Sequence, residues 1–160
     1  MQPYPSLTAG TLLRHLSEVL DGAVEDAYGR SGLAYRPRYT PVMRALIEQG
    51  PASIRALSRY AGITHSAVSQ TVAQMTRQGL VEPLPGKDGR ERIVTLTAKG
   101  EAMVPHLQRQ WEATAAAART LDEDLPMPLV ELLLQAIAAL ERRSFGERLN
   151  NAVADLPPSL

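Results

Sequence analysis

Two groups of side chains stand out for the chemistry their types and spacing allow. Thr64, His65, Ser66, Ser69, Gln70, Gln74 and Arg77 fall on one face and the flanks of a segment with helical periodicity. Lys87, Asp88, Arg90 and Arg92 crowd the short stretch GKDGRER, residues 86 to 92. Neither group pairs a nucleophile with a base. What they offer is recognition: glutamine amides can meet a base edge through two hydrogen bonds, and guanidinium groups match phosphate oxygens.

Other chemistries find little support. The chain has no cysteine, which excludes disulfides, thiolate metal sites, nucleophilic cysteine and thiol redox sensing. A glycine-rich phosphate loop, a nucleophile elbow and a His-Glu-x-x-His pair are all missing, so the reading is of a protein that is not an enzyme. His15, His65 and His106 are scattered and read as packing or surface residues; no metal and no cofactor are expected. The acids of LDEDL, residues 121 to 125, are better explained as a cap and dipole complement for the following helix than as paired catalytic carboxylates.

The formal net charge of zero conceals an asymmetry. Residues 36 to 99 hold ten Lys/Arg against four Asp/Glu, a net of +6, and the remainder carries the compensating −6. The middle of the chain therefore suits an anionic partner, while acidic flanks limit non-specific adhesion. The opening MQPYPSL lacks the basic-then-apolar pattern of a secretory signal, and the apolar run LLLQAIAAL, 132 to 140, is too short to span a bilayer. Cytoplasmic localisation with no membrane contact is the expectation.

These residues must be positioned by a scaffold, and periodicity outlines one. Leu12, Leu13, Leu16, Val19, Leu20, Ala23, Val24 and Ala27 form the apolar stripe of a first helix over 7 to 27, with Gly29 as its stop. TPVMRALIEQGP reads as a second helix, with Thr40 as cap, Pro41 in the first turn and Gly50 past the end. Ser53 caps a third and Thr64 a fourth; Gly62 supplies the positive φ of the turn between them, and Gly79 follows the fourth helix. Placing Val68 at the centre of the buried face brings Thr71, Val72 and Met75 beside it, opposite Leu57, Ala61 and Ile63.

LVEPLP and RIVTL then read as two short strands, the first an edge because Pro83 and Pro85 cannot donate to a ladder. Residues 98 to 121 are helical, with a kink or late start expected at Pro105. A last helix covers 128 to 143, its stripe continuing past Gly146 through Leu149 and Val153, and the end DLPPSL should fray. Helix, tight turn, helix and hairpin make a winged helix-turn-helix. The fold class is thus mainly α with a small two- to three-stranded antiparallel wing and a helical dimerisation region. The second helix of such a unit is narrow enough for a major groove, and its hairpin can lie along the backbone or enter the minor groove.

The segment DGRERIVTLTAKG, 88 to 100, resembles the wing signature of the MarR family of bacterial transcription regulators through Asp88, Arg90, Leu96, Thr97, Lys99 and Gly100. GITHSAVSQTVAQMTRQGLVE, 62 to 82, is similar to that family's recognition helix and wing entry, and order and spacing agree from about residue 8 to 145. The resemblance implies a homodimer with interlocked terminal helices. Residues 1–35 and 101–160 would serve dimerisation, and 36–100 would bind a pseudo-palindromic duplex operator. It implies that Arg90 reaches the minor groove and that Asp88 shapes the wing tip. His65, Ser66, Ser69, Gln70 and Gln74 would face the major groove. It further implies a repressor, released when a small aromatic ligand binds.

Tyr35, Tyr39 and Trp111, with His15 and Arg38, are the candidates for lining a ligand cavity that takes an aromatic carboxylate; structural packing is the other reading of each ring. The stripe Leu129, Val130, Leu132, Leu133, Ile137 and Leu140 is broad for a lone surface helix and reads as a dimer interface. The alternative function is a winged-helix module for protein association without DNA binding.

Overall fold

A computed structural model describes residues 8–85 and 92–156. Helix α1 is Ala9–Arg30, opened by Thr8, whose side chain accepts from the Thr11 amide at 3.2 Å. The sequence reading stops this helix at Gly29, but it runs on to Arg30, and the residue with positive φ is Gly32 at 69°. The reason is the closing motif: Gly32 N donates to Gly29 O at 3.0 Å and Leu33 N to Tyr28 O at 2.9 Å. That pair of bonds demands a left-handed residue three positions beyond Gly29.

A 3-10 turn, Pro37–Tyr39, leads straight into α2, Thr40–Gln49. Thr40 is therefore not the cap expected of it. Tyr39 occupies that position with helical dihedrals, so the Thr40 side chain lies inside the first turn and accepts from the Tyr35 hydroxyl at 3.4 Å instead. Strand β1, Ala52–Ser53, and helices α3, Ile54–Ala61, and α4, His65–Arg77, follow. Strands β2, Val81–Pro85, and β3, Arg92–Leu96, complete a three-stranded antiparallel sheet in the order β1-β3-β2. The proline-bearing β2 is an edge, as its missing donors require. β1 was not separately foreseen; it pairs Ala52 with Val94 and Ser53 with Ile93.

Helix α5 is Ala98–Glu123. It starts at Ala98 and continues through Pro105, so the late start is not observed. Thr97 nucleates it, with its carbonyl accepting from Glu101 N at 2.8 Å and its hydroxyl from Gly100 N at 3.0 Å. Glu101 and Pro105 are both exposed, which leaves the carbonyl that the proline cannot serve within reach of water.

The chain divides into two compact units, 1–112 and 113–160, with the boundary inside α5. In the first unit, Tyr28, Tyr39, Val42, Met43, Leu57, Val68, Met75, Leu80 and Leu107 are buried in one core. Tyr28, Tyr35 and Tyr39 meet edge to face, with ring centroids 4.9 and 5.6 Å apart. Burial pushes the Tyr35 hydroxyl well above the ordinary tyrosine range.

The second unit holds the end of α5, helix α6, Leu129–Arg142, and helix α7, Phe145–Ala154. Asp122 Oδ1 accepts from the Leu129 amide at 2.9 Å, so this acid of LDEDL does cap the following helix. Ser144 and Glu147 form a reciprocal capping box on α7, which makes the stripe beyond Gly146 a separate helix. Neither α6 nor α7 has a buried residue: Val130, Leu134, Ile137, Phe145 and Val153 are each more than half exposed.

Candidate nucleic-acid interface

The helix pair at the centre is built by local hydrogen bonding. Ser53 Oγ accepts from Ala56 N at 3.2 Å and opens α3; Thr64 Oγ1 accepts from Ala67 N at 3.2 Å and opens α4. Between them Gly62 takes a left-handed conformation, φ 66° and ψ 23°, and Ser58 Oγ donates to Ile63 O at 2.6 Å across the turn. A side chain at Gly62 would be strained by that φ, so glycine is what lets two helices meet with so short a link.

Helix α4 is sided as its spacing requires. Val68, Thr71 and Met75 are buried, while Thr64, His65, Ser66, Gln70 and Arg77 are exposed and Ser69 lies at the flank. The N-terminal part of the helix thus presents hydroxyl, imidazole and amide groups that no element among the described residues covers. Gln74 is placed differently: it is half-buried, and its Oε1, like that of Gln78, is enclosed without a hydrogen-bond partner among the described residues. Its amide is less available than that of Gln70.

Arg92 is exposed at the start of β3. Lys87, Asp88 and Arg90, the rest of the wing set, lie outside the described residues. The sequence reading did not single out Arg55 and Arg59, two further exposed cations on α3. Only the +6 balance of the middle segment hinted at them. Among the described residues the one ion pair, Arg36 with Glu25 at 4.0 Å, involves neither. Thr97 and Lys99 also have a task that the sequence reading did not assign. Thr97 Oγ1 donates to Gly79 O at 2.6 Å, and Lys99 Nζ donates to Gln78 O at 2.7 Å, so both hold the end of α4.

The ligand candidates do not gather into one cavity. Tyr35 and Tyr39 are buried core rings, His15 and Arg38 are exposed, and Trp111 is partly buried, donating from Nε1 to the Tyr28 hydroxyl at 3.1 Å. Arg44 stacks over the Trp111 ring at 4.4 Å. A cleft of about 630 Å³ lies elsewhere, lined by Ala45, Gln49, Pro51, Ala56, Arg59 and Tyr60 among others. Among the described residues no group of three His, Asp or Glu side chains could hold a metal ion, and no helix is long and apolar enough to cross a membrane.

A capped helix pair followed by an antiparallel hairpin, with the second helix polar on its outer face, defines the winged helix-turn-helix class. The model of the MarR family matches residues 32–91. Solved transcriptional regulators share the fold across most of the chain. One is MOSR of M. tuberculosis, solved in complex with DNA, which is 22% identical with a TM-score of 0.66, over 86% of this chain and 99% of that one. Another is PcaV of Streptomyces coelicolor, solved in complex with its natural ligand, 16% identical with a TM-score of 0.63, over 90% of this chain and 99% of that one. A third is the organohalide-sensing regulator RdhR in its 2,4-dichlorophenol-bound form, 16% identical with a TM-score of 0.63, over 90% of this chain and 86% of that one. A comparison with curated proteins finds no match. The family model thus covers the helix-turn-helix and stops just before β3, and these regulators carry the same fold through the flanking helices.

Proposed function

We propose that this protein is a dimeric, sequence-specific DNA-binding regulator of transcription, acting as a repressor that a small ligand releases. The observation that carries the reading is the sidedness of α4: a capped helix whose apolar face is sunk in the core and whose polar N-terminal face is exposed. The N-terminal end of a recognition helix is the part that reaches base edges, with the wing on the adjoining backbone or minor groove. The fold shared with MOSR, solved on DNA, supports it.

Dimerisation is supported by the uncovered apolar residues. Leu12, Leu13, Val19 and Leu20 on α1 are exposed, as are Val130, Leu134 and Ile137 on α6. Each such side chain is already about half covered, so completing its burial is worth roughly half of the 1.5 to 3 kcal/mol of a full transfer, and a face of this kind favours a second copy. The ligand reading is supported by the ligand-bound states of PcaV and RdhR. Of the candidates His15, Tyr35, Arg38, Tyr39 and Trp111, which line no common cavity, the two tyrosines are the ones we propose an aromatic ligand would engage. Because Tyr35 and Tyr39 are closed in the core, a ligand there must part the tyrosine cluster. Thermal melting with a panel of phenolic acids tests this, and no shift with any compound would remove its support.

The decisive experiment is a gel shift against random genomic fragments at low salt, followed by selection of the bound sequences. Retardation is expected, with half-sites about 34 Å apart centre to centre. Gln70→Ala should change the preferred sequence, whereas Arg90→Ala should weaken binding to many sequences and flatten its salt dependence. No retardation at low salt would favour a protein-association module instead.

A further inference from the structure

Lys99 looks at first like one more cation for the DNA backbone: it is exposed and lies within the basic segment. Its ammonium is instead engaged. Nζ donates to Gln78 O at 2.7 Å, and Gln78 is the C-cap of α4. The last carbonyls of a helix have no partner within it and carry the negative end of the dipole, so a cation is well matched there. The stem of Lys99 crosses Gly79, where an added Cβ would lie 4.0 Å from Lys99 Cδ. Beside it Thr97 Oγ1 donates to Gly79 O at 2.6 Å and Thr97 N to Leu80 O at 3.1 Å. Three consecutive carbonyls just past α4, those of Gln78, Gly79 and Leu80, are thereby held by Lys99 in the first turn of α5 and by Thr97 immediately before it. Further along, α5 is fixed in the core by buried Leu107 and by the Trp111 bond to Tyr28.

We infer that Lys99 is a positioning residue for the recognition helix, setting the tilt of α4 from its C-terminal end, and does not contact phosphate. The consequence for specificity rests on the DNA-binding reading above. A helix of 13 residues spans roughly 20 Å, so a tilt of about 5° at the clamped end moves the far end by roughly 1.7 Å. That is enough to break hydrogen bonds from His65, Ser66 or Gln70 to base edges, whose useful distance range is only about 0.5 Å wide. Phosphate contacts made by flexible arginines tolerate the same movement.

The test compares wild type, Lys99→Met and Lys99→Arg. Binding is measured to a duplex recovered by the wild type from a random-sequence library and to poly(dI-dC), across a range of KCl concentrations. For Lys99→Met, specific affinity should fall about tenfold, as expected for loss of a charged hydrogen bond. Its affinity for poly(dI-dC) and its salt slope should hold, and Lys99→Arg should recover most of the loss. A salt slope reduced by about one would make Lys99 a phosphate contact and overturn the inference, as would specific affinity within twofold of wild type. Amide hydrogen exchange is followed in parallel at Gln78, Gly79 and Leu80. Faster exchange in Lys99→Met supports the clamp and unchanged exchange overturns it. If the wild type retains no duplex at all, the DNA-binding reading fails, and hydrogen exchange decides the clamp.

Discussion

Two helical glycines should respond in opposite ways to the same added methyl group. Gly100 is buried in the first turn of α5, and a Cβ there would lie 2.2 Å from Leu80 O, 3.2 Å from Leu80 C and 3.4 Å from Leu96 Cδ2. Helix propensity alone would favour alanine by about 1 kcal/mol. Against that, the backbone must separate by about 1 Å to restore normal contact distances, an overpacking that costs 1–3 kcal/mol or more. The displaced carbonyl is also the one that accepts from Thr97 N, a bond worth about 1 kcal/mol. Gly100→Ala should therefore lose about 1 to 3 kcal/mol and melt about 2 to 12 °C lower. Gly29→Ala, in the last turn of α1 with no atom within 4 Å, should be neutral or gain up to about 1 kcal/mol. Melting followed by far-UV circular dichroism at equal protein concentration reads both. Should Gly100→Ala melt at or above wild type, the close approach of α5 to Leu80 would not be what demands glycine there.

Thr64→Ala should cost about 1 kcal/mol by removing the cap of α4, with Thr64→Ser restoring most of it in denaturant titrations; equal loss in both would show that the hydroxyl is not responsible. Tyr35 is protonated more strongly in the folded protein than in the unfolded chain, so the stability it contributes is complete below pH 10 and declines as pH rises through the region above it. The melting temperature of wild type should fall more steeply above pH 10 than that of Tyr35→Phe, and parallel curves would contradict the assignment. If the protein is the proposed dimer, Ile137→Glu, on the exposed face of α6, should leave the secondary structure intact and halve the mass seen for wild type in analytical ultracentrifugation; a dimeric mass retained by the variant would show that α6 is not the contact.

Much of the central unit could be read without coordinates because its determinants are local. Ser53 and Thr64 meet their partners three residues on, Gly62 and Gly79 close turns within their own motifs, and Val68, Thr71 and Met75 share a face by helical period. Such features follow from dihedral preference and periodicity, which adjacent residues specify. Where the partner is remote, neighbouring residues could not announce it. The pairing of β1 with β3 joins Ala52 to Val94, the Thr40 hydroxyl is claimed by Tyr35 because the preceding turn runs into the helix, and Tyr35 and Tyr39 are closed into the core by edge-to-face packing. Gln74 and Gln70 look alike in sequence, yet only Gln74 has its amide oxygen enclosed. Composition and spacing determined which residues form a polar helix and the two strands that follow it. Only the tertiary structure decided which of those polar groups remain open to a partner and which, like Lys99, also bond within the fold, because a hydrogen bond between distant segments depends on how the chain packs.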